Sequence, residues 1–119
     1  SSEIFIDEIV KEINLCQEKG FQSICLICKT EKNSIYLFNK IKHKLDIQLI
    51  KNGSVSDLQG VFILPVYMSK GLEFDAVLIC DADSQNYHDE DDKNLLYVAC
   101  TRALHKLSLF CENEVSPLI

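Results

Sequence analysis

The chain predicts an α/β domain in which helices flank a mostly parallel β-sheet. Two observations carry this expectation. The apolar runs at residues 24–28 and 76–80 are continuous rather than alternating, the pattern of strands covered on both faces. Around them lie stretches whose apolar residues recur at three- and four-residue intervals, the period of a helix with one buried face. The resulting order, αβαβββαβ, is the alternation that builds helix-covered, largely parallel sheets.

Residues 3–19 place Ile6, Ile9, Ile13 and Cys16 on one stripe with Asp7, Glu8, Lys11 and Glu12 between them, and Gly20 closes this helix. The strand at 24–28 follows. A second helix starts near Thr30, a suitable N-cap, and carries Ile35, Phe38, Ile41 and Leu45 along its apolar stripe. Residues 47–50 form a short strand, Asn52-Gly53 a turn, and a polar stretch runs on to Gly60. Residues 61–68 read as a strand that contains Pro65, which must lie at an edge or where pairing stops. After the strand at 76–80 come a hydrophilic, solvated loop at 83–92, a helix at 93–103 and a last strand at 106–111 with Leu107 and Leu109 alternating. Residues 112–119 look like a frayed end, since Ser116-Pro117 interrupts regular structure. No repeat or linker divides the sequence, so residues 1–119 are expected to form one domain.

Composition narrows the function. The 119 residues are 47% hydrophobic and 25% charged, an ordinary globular balance. No apolar stretch approaches the roughly 20 residues that span a bilayer, and the first residues lack the basic region of a signal peptide, so no membrane role is expected. A net charge of −6 opposes strong autonomous binding of a polyanion, so any nucleic-acid contact must be local. The six cysteines lie in apolar runs or on helix-like segments, which suits reduced thiols in a cytoplasmic protein. Cys25 and Cys28 have zinc-ligand spacing, but no second pair exists and residues three apart on a strand face opposite ways. No metal site is expected.

Arg102 is the one arginine beside eleven lysines. Its planar fork suits two-point recognition of phosphate or carboxylate, which lysine does poorly. At the end of a helix it also suits the dipole, so a structural role stays open. Gly71 lies where a strand turns, between Lys70 and Glu73. In open α/β sheets ligands gather at the carboxyl ends of strands, and a glycine there lets backbone approach a ligand while a carboxylate accepts from ribose hydroxyls. The alternative is a plain turn with Lys70 and Glu73 solvated. Asp81 and Asp83 follow a strand as Mg²⁺-binding acidic residues do, but they equally read as the start of a solvated loop. His43, His88 and His105 show no ligand or triad pattern.

Ser69-Lys70-Gly71-Leu72-Glu73-Phe74-Asp75-Ala76-Val77 resembles motif V of UvrD/Rep-type superfamily 1 helicases. Leu95-Leu96-Tyr97-Val98-Ala99-Cys100-Thr101-Arg102-Ala103 resembles their motif VI, in the right order and at about the right separation. Pro65-Val66-Tyr67 and Leu104-His105-Lys106-Leu107 are most similar to the helicase IV and HelD-like branch. The resemblance covers roughly residues 61–110. It implies a RecA-like, P-loop NTPase-type second helicase domain, part of a longer chain whose N-terminal RecA-like domain completes the ATP site. It implies that Arg102 acts as the catalytic arginine finger on the γ-phosphate, that Gly71 and Glu73 also meet the nucleotide, and that Tyr67, Ser69 and Lys70 face single-stranded DNA or couple to it. Where UvrD-type members commonly have a histidine three residues before the motif V lysine, this chain has Tyr67. Tyr97 and Thr101 are expected to orient and pack the motif VI helix.

No Gly-x-x-x-x-Gly-Lys-Ser/Thr occurs, so nothing in residues 1–119 cradles α and β phosphates. The resemblance therefore implies ATP and Mg²⁺ held by the full-length protein and neither held, nor hydrolysed, by this part alone. The HelD-like branch implies RNA polymerase as an alternative partner, with remodelling of transcription complexes in place of unwinding. A degenerate α/β interaction module is the third reading.

Overall fold

The computed structural model describes residues 2–51, 59–112 and 116–119. The elements are α1 (Ser2–Glu18), β1 (Ser23–Cys28), α2 (Glu31–Ile41), β2 (Gln48–Leu49), β3 (Gly60–Pro65), a 3₁₀ turn (Val66–Ser69), β4 (Phe74–Ile79), α3 (Glu90–Cys100) and β5 (Ala103–Leu109). Among the described residues, five strands pair in the order β2-β3-β1-β4-β5, every neighbour parallel. The expected α/β class and element order hold.

Two apolar cores sandwich the sheet, which is why its central strands are apolar at every position. Even-numbered side chains of β1 and β4, Ile24, Leu26, Cys28, Ala76 and Leu78, together with Cys80 just past β4, meet α1 and α2. Their odd-numbered neighbours Cys25, Ile27, Val77 and Ile79 meet the α3 side with Phe62, Phe74, Leu96 and Ala99. Cys25 and Cys28 thus point into different cores, as their spacing requires. Ile6, Ile9, Ile13 and Cys16 are the buried stripe of α1. Gly20, at φ +87°, turns the chain out of that helix while the Phe21 amide donates back to the Cys16 carbonyl. Among the described residues no helix is long and apolar enough to cross a membrane.

Several boundaries differ from expectation. Thr30 caps α2 as expected, its Oγ1 accepting from the Asn33 amide, but the buried face is Ser34, Leu37 and Ile41. Ile35 is 40% exposed and Leu45 lies beyond the helix. Ser34 can face inward because its hydroxyl donates to the Thr30 carbonyl at 3.0 Å, so no buried polar group is orphaned there. The second strand shrinks to Gln48–Leu49, and β3 ends at Pro65. β2 pairs only with Phe62 and Ile63, so the missing amide of Pro65 lies past the last bond of that ladder.

Helix α3 starts and ends three residues earlier than the apolar period suggests. Asp89 and Asp92 form a reciprocal capping box, which draws the acidic run into the first turn. β5 then begins at Ala103, two residues after the helix, because the Arg102 carbonyl already accepts from the Phe74 amide of β4. The stretch 83–92, expected as a solvated loop, is not simply solvated either: Asp83 and Asp92 are each 5% exposed. Nor is residue 116 frayed. The Ser116 amide donates to the Ala82 carbonyl, its hydroxyl donates to the Tyr87 carbonyl at 2.6 Å, and Leu118 packs on the second core. The Asn52-Gly53 turn lies outside the described residues.

Candidate functional site

Because β3 and β4 are parallel, the chain must return along the sheet before β4 can begin. Residues 66–73 make that return on the α3 face. The 3₁₀ turn is held from inside: the buried Ser69 hydroxyl donates to the Val66 carbonyl at 2.6 Å, and the Ser69 carbonyl accepts from the Leu72 amide at 2.9 Å. Gly71 then adopts φ +80°, with open space where a Cβ would stand, so conformation and not crowding calls for glycine. Lys70, Gly71 and Glu73 are exposed, and Phe74, fully buried, starts β4.

Arg102 reaches the same rim from the other motif. The Thr101 amide donates to the Tyr97 and Val98 carbonyls, the Thr101 hydroxyl to Val98, and the Arg102 amide to Ala99 at 3.2 Å. The Arg102 carbonyl then accepts from the Phe74 amide at 2.9 Å. Its backbone is therefore fixed from both sides while its side chain, half-buried, forms no ion pair among the described residues. Arg102 Nε is buried with no hydrogen-bond partner there, a donor that costs free energy until an acceptor meets it.

This rim is not where the sequence placed it. Phe74 pairs with Ala103, and the first paired residues of β1 and β3 are Ser23 and Gly60, so Glu73 and Arg102, each one residue before that pair, stand at the amino ends of the strands, with Gly71 two residues further back along the return segment. The expected carboxyl-end position fails because the return segment spends its length crossing the sheet. Tyr67 lies at the opposite, carboxyl rim. It is 60% exposed and its hydroxyl donates to Glu31 Oε2 at 2.9 Å, a bond to a carboxylate that raises its pKa. The structure thus sets Glu73 and Arg102 at one rim and Tyr67 at the other, with Ser69 buried between. Tyr97 does not pack the helix as expected; it is 70% exposed, whereas Thr101 does close the helix end.

The carboxyl rim has its own polar framework. Asp81 Oδ2 accepts from the Lys29 amide and from Asn33 Nδ2, both at 2.8 Å, and burial raises its pKa. The buried Tyr87 hydroxyl points toward Asp81 without closing a full hydrogen bond. Asp83 Oδ1 accepts from the Gln85 and Asn86 amides, building a turn. Lys29 Nζ meets Asp92 Oδ1 at 2.7 Å, and this bond first, with amides of His88 and Asp89 helping, holds the Asp92 carboxyl at about 2. His88, Asp89 and Asp92 stand close enough for a cation, but Asp92 is already committed to Lys29 and the cap. Sequence reasoning missed the Asp89–Asp92 cap, for which the Asp89-x-x-Asp92 spacing before an apolar run was the available signal, and the Lys29–Asp92 pair, for which the sequence offers none.

The family described as UvrD-like helicase C-terminal domain matches residues 60–110, the span from β3 to just past β5. The crystal structure of the C-terminal domain of a possible DNA helicase from Lactobacillus plantarum WCFS1 superposes with a TM-score of 0.88 at 31% identity, covering 98% of this chain and 71% of that one. The chain belongs to the UvrD-like helicase C-terminal domains. Its five-stranded parallel sheet is the fold of that family. A structure of Arterivirus nonstructural protein 10, a helicase with DNA, gives a TM-score of 0.47 at 17% identity over 80% of this chain and 24% of that one, too distant to add to the assignment. No curated protein matches. In this UvrD-like domain the bond from the Phe74 amide to the Arg102 carbonyl joins the two segments that resemble motifs V and VI.

Proposed function

We propose that this UvrD-like domain is the second lobe of an ATP-dependent DNA helicase, and that it presents Arg102 to the γ-phosphate of ATP bound against an N-terminal RecA-like lobe of the same protein. The observation that carries the reading is the state of Arg102: backbone anchored at 2.9 Å to the first residue of β4, Nε buried and unmatched. Such a cation offsets negative charge that builds on the transferred phosphoryl group, with little reorganisation at the moment of reaction. Gly71 allows close approach at the turn, and the exposed Glu73 carboxylate suits the ribose hydroxyls. Mg²⁺ falls to the other lobe, since Asp81 and Asp83 follow the carboxyl end of β4, at the rim opposite Arg102. Tyr67 and Lys70, with Ser69 as the buried support of their turn, couple this rim to single-stranded DNA.

The test is Arg102→Lys in the full-length protein. ATP hydrolysis should fall by roughly 10³-fold or more, the range of arginine fingers, while ATP binding persists; near-normal turnover would remove the role. Copurification with RNA polymerase together with failure to unwind a tailed duplex would favour the transcription-remodelling reading.

A further inference from the structure

Two buried thiols lie on neighbouring strands at the carboxyl ends of the central strands, and no step proposed above uses them. Ile27 pairs with Ile79 in the β1–β4 ladder, and the Cys80 amide donates to the Ile27 carbonyl at 3.2 Å. Cys28 and Cys80 are therefore the next cross-strand pair, on the same face, and both line a cavity of about 150 Å³ that Asn33 and Asp81 also border. Neighbouring strands run about 4.8 Å apart, inside the Cα separation of about 4.4–6.8 Å that a disulfide spans but below its commonest value. A bridge closed at that spacing would be strained, and strained bridges are the ones readily reduced again. We propose that Cys28 and Cys80 form a reversible redox pair in which a small peroxide, admitted through the cavity, oxidises the dithiol to a disulfide.

The chemistry balances with hydrogen peroxide as oxidant. The thiolate of Cys28 attacks one peroxide oxygen; the S–O bond forms, the O–O bond breaks, and hydroxide leaves and takes a proton to become water. Cys80 then attacks the sulfenic sulfur, S–S forms, S–O breaks, and a second water leaves. Two thiols are oxidised and one peroxide reduced. Burial raises both thiols well above the ordinary range, with Asp81 adding to it, so the reaction is slow at neutral pH and quickens as pH rises. The bridge bolts β1 to β4 beside Lys29 and Asp81.

The test exposes the native protein to hydrogen peroxide and maps disulfides after alkylation of the remaining thiols. The expected result is loss of two hydrogen masses, with residues 20–29 joined to residues 71–93 through Cys28 and Cys80, restored by dithiothreitol. Cys25→Ser should leave the bridge intact, while Cys28→Ser and Cys80→Ala should each abolish it. Circular dichroism of each variant separates loss of the pair from loss of the fold. Oxygen added to single cysteines without a bridge, a bridge between other cysteines, or a bridge seen only in denaturant would each overturn the proposal.

Discussion

The amide of Phe74 donates to the carbonyl of Arg102 at 2.9 Å, and this bond opens the β4–β5 ladder. One residue is fully buried and the other carries a buried Nε with no hydrogen-bond partner among the described residues, so packing on the α3 face sets the position of a candidate functional group. The Phe74 ring is tilted against Phe62 at 6.2 Å and shares its core with Leu96 and Ala99 of α3.

Phe74→Ala should therefore cost about 3–5 kcal/mol, the transfer of the ring plus the cavity it leaves. Urea unfolding measures this directly. A loss below about 1 kcal/mol would mean that the α3 face relaxes freely and that Arg102 is not held by it.

Gly71 isolates backbone strain from crowding, because nothing lies within 4 Å of where an added methyl group would stand while φ is +80°. Gly71→Ala should destabilise by roughly 1–2 kcal/mol, and Gly71→Asn by less, since asparagine tolerates this region better. Equal costs for the two substitutions would point to something other than φ.

The Lys29–Asp92 pair predicts a particular acid response. Asp92 has a depressed pKa, so its stabilisation is complete above the ordinary carboxylate value near 3.8 and is lost as pH falls through about 2. The stability gap between the native protein and Asp92→Asn should be widest above about pH 4 and shrink toward about pH 2. Asp81 works in the opposite sense: burial raises its pKa, so its protonation favours the fold as pH drops through the upper carboxylate range. Unfolding midpoints of Asp92→Asn and Asp81→Asn across this range separate the two, and a pH-independent gap for Asp92→Asn would refute the assignment.

What was legible in the sequence was what local physics decides. Residues 24–28 and 76–80 announced strands because both faces are buried, and Thr30 announced a helix start because its hydroxyl caps one. The α3 boundary was misplaced because an acidic run looks solvated, although Asp89 and Asp92 turn it into a cap. Gly71 and Arg102 could be paired through their motifs, but the end of the sheet they occupy depends on the direction of the β3-to-β4 return, which no local pattern encodes. The Lys29–Asp92 and Asp81–Asn33 contacts join residues far apart in the chain, and only the folded sheet brings them together.

The separation of Tyr67 from Arg102 yields a functional prediction of its own. Tyr67 lies at the carboxyl rim, bonded to Glu31, while Arg102 lies at the amino rim, and the buried Ser69 turn stands between them. If nucleotide and single-stranded DNA engage opposite rims of this lobe, substitutions at the two should damage different parameters in the full-length protein. Tyr67→Ala, at an exposed site, should leave the unfolding midpoint and the KM for ATP unchanged while weakening the stimulation of ATP hydrolysis by single-stranded DNA. Arg102→Lys should lower kcat with and without DNA. Steady-state ATPase assays at several DNA concentrations resolve the two patterns. A Tyr67→Ala protein with a raised KM for ATP and normal DNA stimulation would place that tyrosine at the nucleotide and dissolve the division of labour between the rims.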